Sequence, residues 1–130
     1  MRLRLLLLAG FVLFATTLQA ADGTRVKVVS LDAGAADYLP VLNGPPETAG
    51  MESGLVILAP GKSVGEHSTG AHEELLIVLE GRGEMKIVGG KPQPVRATQA
   101  VYCPPHTSHD VTNTGTTPLR YVYVVAPAKE

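Results

Sequence analysis

Apolar and polar positions alternate along this chain in short runs, each closed by glycine or proline. Residues 25–31 alternate with β-branched members, and 54–59 form a buried-strand run that stops at Pro60-Gly61. The run 74–80 is almost wholly apolar in its middle. After it, Gly81-Arg82-Gly83 is a link short enough for a hairpin to 84–88. Gly89-Gly90-Lys91-Pro92 marks the next turn, and further runs lie at 95–97, 100–103, 110–112 and 119–125. No window sustains a helical apolar period, and one helical turn near 32–37 is the only local exception. The stretch 40–50, with Asn43-Gly44-Pro45-Pro46, reads as the longest loop. Roughly eight short strands, with a turn about every eight to twelve residues, predict an all-β fold, a small sandwich or barrel.

The first twenty residues follow a different pattern. Arg2 and Arg4 precede an apolar run over 5–15, and Leu18-Gln19-Ala20 ends on a small residue. This is the layout of a signal peptide over 1–20, with one domain over 21–130 as the exported product, periplasmic or secreted. The apolar run is shorter than the roughly 20 residues a membrane-spanning helix needs. Removing Arg2 and Arg4 leaves 9 basic residues against 12 acidic ones, a formal charge of −3. Such a balance offers no basic stripe to nucleic acid and no basic amphipathic face to a membrane. The expected partner is a small-molecule ligand or substrate. Cys103 is the only cysteine, so no intrachain disulfide can brace this small domain. Stability has to come from apolar packing, bound metal or a homodimer interface that covers sheet edges or faces.

The chemistry is concentrated in two places. His67, His72, Glu73 and Glu74 fall within eight residues, directly before the apolar run 74–80. His106 and His109 follow the rigid Pro104-Pro105. Imidazoles and carboxylates at this density beside strands are the composition of a divalent-metal site. Strand parity sorts the first group: His72 and Glu74 share a face with Leu76 and Val78, and Glu73 faces the other way. His67 sits before a flexible Ser-Thr-Gly turn that can fold its ring back. Asn113 is expected to hold a turn through its side-chain amide. Cys103 reads as a small buried strand residue, and Tyr102, Tyr121 and Tyr123 as aromatics filling the interior. One of these phenols is available to a pocket, but the sequence does not say which.

Gly61, His67, Glu74 and Gly81 match the spacing of the first motif of the cupin superfamily, and Pro104, His109 and Asn113 match the second. The chain resembles that superfamily directly over about 61–113. The resemblance implies a single small β-barrel, the double-stranded β-helix or jelly roll. It departs at two positions. Thr69 stands where the first motif has its second histidine, and His106 where the second motif usually has glycine. With His72 replacing the missing histidine, the resemblance implies a metal held by His67, His72, Glu74 and His109. With His72 turned to solvent, two histidines and one carboxylate remain. Fe, Mn, Ni, Zn or Cu suits such donors. The implied reactions are those of an oxygenase, an isomerase or a decarboxylase acting on a small molecule, with Glu73 or His106 as candidate acid/base groups. The alternative is a binding module that captures a ligand or metal without turnover.

Overall fold

The computed structural model describes residues 25–129, so the expected leader at 1–20 lies outside it. Eight strands follow one another: β1 (Tyr38–Asn43), β2 (Glu52–Leu58), β3 (His72–Glu80), β4 (Arg82–Ile87), β5 (Gln93–Arg96), β6 (Ala100–Cys103), β7 (His109–Asn113) and β8 (Leu119–Pro127). They form a five-stranded sheet ordered β1-β2-β8-β3-β6 and a three-stranded sheet ordered β5-β4-β7. Every pairing is antiparallel. The two sheets pack face to face and do not close into one ladder. The expected continuous barrel is therefore corrected to a jelly-roll of two sheets, because β1 and β6 end one ladder and β5 and β7 the other.

Alternation decides which side chains enter the space between the sheets. Leu76 and Val78 of β3, Leu58 of β2 and Leu119 and Tyr121 of β8 come from the large sheet; Met85, Val95 and Val111 come from the small one. Burying each large apolar side chain of this kind contributes about 1.5–3 kcal/mol. The opposite face of β3 leaves Leu75, Ile77 and Leu79 37–39% exposed.

Three expectations about elements change. Residues 25–31 form no strand: Val26 and Val28 are almost fully exposed, and no neighbouring strand takes up their alternation. The edge strand is β1 instead, in part of the stretch read as loop, and its register shifts between Pro40 and Leu42. Proline has no amide hydrogen to give a ladder, and an edge strand with a bulge is where that loss is tolerated. Residues 32–37 make a turn rather than a helix, closed by the Ala36 N–H donating to the Ala33 carbonyl at 3.0 Å.

The third change concerns Gly81. β3 and β4 were expected to pair as a hairpin, yet they belong to different sheets. Gly81 has φ +80°, and a Cβ there would lie 2.4 Å from the Pro118 carbonyl oxygen. The chain thus turns from one sheet to the other against the backbone of 118–119, a passage only glycine allows.

Candidate metal centre

One irregular segment builds half of the site. Residues 61–67 run antiparallel beside β7 and cover its outer edge. Val64 N–H donates to the Val111 carbonyl at 3.2 Å. His67 and His109 exchange both backbone hydrogen bonds, at 2.9 and 2.8 Å. This reciprocal bridge puts the two rings side by side, with centroids 4.5 Å apart. Glu74 approaches from β3 in the opposite sheet. Ligating atoms of His67, Glu74 and His109 all lie within 4.8 Å of one another, so the three form a cluster that can hold a metal ion.

The orientation of the donors suits a cation. His67 Nδ1 is 2.8 Å from the Gly65 carbonyl, and His109 Nδ1 is 3.0 Å from that of Thr107. A carbonyl only accepts, so each Nδ1 carries the hydrogen and each Nε2 keeps a lone pair, the arrangement metal-binding histidines adopt. His109 Nε2 and Glu74 Oε2 approach to 3.0 Å without hydrogen-bond geometry, and both are buried with no hydrogen-bond partner. Two lone pairs facing each other in a dry interior repel, and a buried carboxylate without compensation costs several kcal/mol. A proton or a cation resolves the conflict. The Glu74 carboxylate lifts the pKa of the His109 imidazole above its usual range, with burial opposing. A divalent ion would satisfy Oε2 and Nε2 at once and reach His67 beside them.

The other predicted residues lie elsewhere. His72 is half-buried, and the structure does not bring it into the cluster. Its Nδ1 lies 3.2 Å from the Thr69 carbonyl. The turn that starts β3 is tied by the Thr69 hydroxyl donating to the His72 carbonyl at 2.8 Å, and this local closure holds the ring away from Glu74. Thr69, not His72, lines the cavity. Glu73 lies on the outer face, where it accepts a hydrogen bond from the Tyr102 hydroxyl at 3.1 Å. His106 is exposed at φ +57°, a left-handed conformation that explains why the motif usually has glycine there. Neither Glu73 nor His106 lines the cavity.

The cluster sits at a cavity of about 370 Å³ between the sheets. Its walls are Val56, Val64, Leu76, Val111 and Val125, with Tyr121 and Tyr123 from β8. Sequence reasoning placed these tyrosines inside without assigning them to a pocket; their alternation with Val122 and Val124 was the available signal. A wider depression of about 1200 Å³ lies between 42–51 and 126–129. It has no part in the cluster, and its size alone assigns it no chemistry.

Asn113 closes the lower end of β7. Its amide donates to the Leu58 and Thr117 carbonyls and accepts from the Gly115 N–H, each at 2.8 Å. Cys103 is buried with Sγ 3.4 Å from His109 Nδ1, and burial raises its thiol pKa, so it stays protonated.

A two-sheet jelly roll with a His/Glu/His cluster at a cavity between the sheets defines a class of all-β domains with a possible metal site. Comparison with known proteins agrees with it. The cupin domain model matches residues 54–125, and the chain belongs to the cupin family. Over 85 residues it is 35% identical to the polyketide synthase CurC of Streptomyces cyaneus, covering 63% of this chain and 54% of that protein. It is 32% identical to protein SchB of Streptomyces halstedii, covering 63% and 61%. The chain thus spans little more than half the length of these curated relatives. Among solved structures, a cupin 2 conserved barrel domain protein from Salinispora arenicola superposes with a TM-score of 0.65 at 27% identity, covering 80% of this chain and 91% of that one.

Proposed function

We propose that this is an exported cupin in which His67, Glu74 and His109 hold a divalent transition metal and act on a small molecule in the adjoining cavity. The observation that carries this reading is the facing pair Glu74 Oε2 and His109 Nε2, buried 3.0 Å apart without a hydrogen-bond partner. Two imidazoles and one carboxylate with open positions are a donor set used for Fe(II) and for catalytic Zn(II). When bound, the metal would supply a Lewis acid for an oxygen donor of the ligand. The protein's own part is to orient both imidazoles through their Nδ1 hydrogens and to surround the ligand with valine walls. One relative is named a polyketide synthase. A carbonyl-bearing carbon chain suits a cavity with mostly valine walls and few polar groups.

The runner-up reading is capture without turnover. It is favoured by the cavity lining, where tyrosines are the only titratable groups outside the cluster. Metal analysis of protein purified without chelator, followed by turnover assays on phenols, thiols and 1,3-diketones under oxygen, separates the two. We expect metal near one equivalent and turnover of at least one carbonyl compound. An occupied site inert across the panel selects the binding module, and a site that takes no metal ends the metal reading and leaves only capture of a small ligand.

We also propose a homodimer formed through the outer face of β3, where Leu75, Ile77 and Leu79 stand in a row beside Tyr102. Light scattering should give twice the chain mass at micromolar concentration, and Ile77→Glu should reduce it to one. A monomeric parent protein would contradict this.

A further inference from the structure

Tyr123 faces the cavity from β8, opposite Gly54 of β2 and Leu76 of β3. Its hydroxyl lies 2.9 Å from that of Tyr38, a residue of the edge strand that is 46% exposed. Gly54 makes this meeting possible. A Cβ there would lie 2.8 Å from both tyrosine rings, so the two phenols come together over a strand position kept free of a side chain. Behind the ring, the Ser53 hydroxyl donates to the Tyr123 carbonyl at 2.6 Å. Burial first, and then the Tyr38 hydroxyl, hold the Tyr123 phenol far above its usual pKa, so it stays a neutral donor.

We propose that Tyr123, positioned by Tyr38, recognises a carbonyl oxygen on the end of the bound molecule remote from the His/Glu cluster. Either hydroxyl can donate in this pair; with the molecule bound, Tyr38 donates to Tyr123 and the Tyr123 hydrogen turns to that oxygen. This rests on the metal reading above and narrows the ligand to one class: an uncharged, carbon-rich body with a cation-binding oxygen at one end and a carbonyl at the other. No lysine or arginine lines the cavity, and its one carboxylate, Glu74, is already there. A phosphorylated sugar or a polycarboxylate would bring a second buried anion without a counter-charge. A polyol would leave hydroxyls against valine side chains without partners.

Calorimetry on the metal-loaded full chain tests this with two probes, benzohydroxamic acid and 4-acetylbenzohydroxamic acid. The hydroxamate addresses the cation in both, and only the second offers a carbonyl at the far end. The parent protein should prefer the acetyl compound by about tenfold, equivalent to about 1.4 kcal/mol. In Tyr123→Phe that preference should vanish while benzohydroxamate binds both proteins alike. Tyr38→Phe, which keeps the donor but frees it, should lose roughly threefold of the preference. A preference that persists in Tyr123→Phe, or is absent from the parent, overturns the tyrosine assignment and leaves the metal reading standing. Failure of benzohydroxamate to bind, or binding that survives His67→Ala, overturns the metal reading and this inference with it.

Discussion

His67→Ala will weaken divalent-metal binding by about a thousandfold, and His72→Ala will change it by less than about threefold. The contrast follows from position. His67 places a ring nitrogen within 4.8 Å of the ligating atoms of Glu74 and His109, whereas His72 is held at the Thr69 carbonyl. Loss of one of three protein donors should remove about 4 kcal/mol, the equivalent of that thousandfold. His67 is exposed, so its alanine variant keeps the fold and the titration reads metal binding alone. His109→Ala should lose metal as well, but it also strips the buried Glu74 carboxylate of the imidazole 3.0 Å away. A buried carboxylate left so costs about 3–5 kcal/mol in stability. Titration of both variants with Mn(II) or Zn(II) checks the ranking. Equal losses at His67 and His72 would return His72 to the site.

Asn113→Ala should destabilise the metal-free domain by about 3 kcal/mol and lower its melting temperature by about 15 °C. From β7 the amide reaches two other chain segments: Leu58 at the end of β2, and Gly115 and Thr117 in the turn before β8. Alanine takes the amide away from two carbonyls and one N–H at a position only 1% exposed. Its neighbour supplies the control. Thr112 Oγ1 is buried without a hydrogen-bond partner, so Thr112→Val should be neutral within about 0.5 kcal/mol or stabilising. Urea unfolding of the two variants gives the comparison. Equal stabilities would mean that the turn at 113–117 forms without its amide clamp.

The two positions where the chain departs from the cupin motifs turn out differently. At 106 the backbone keeps the left-handed conformation although histidine stands there, because the His106 N–H donates to the Gly70 carbonyl at 2.7 Å and ties the two loops together. At 69 the departure removes a donor. Threonine fills the wall, and no neighbouring histidine moves in to replace it.

Sequence alone determined the all-β class and most of the strands, and it marked His67, Glu74 and His109, with His72, as candidate donors. Each is a local matter: apolar alternation has a period that sheets require, and imidazole and carboxylate donors keep their chemistry wherever they are carried. It also placed Asn113 as a turn clamp, since such an amide acts on its own neighbourhood. What tertiary structure decided was which elements meet. The apolar period cannot say that β3 and β4 separate into different sheets, because that depends on Gly81 passing against 118–119. Nor can parity reveal that the turn at 69–72 draws His72 away from Glu74, or that Tyr38 and Tyr123, 85 positions apart, join over Gly54. Those outcomes come from contacts between segments remote in the chain, whose energies exist only once both sheets have packed.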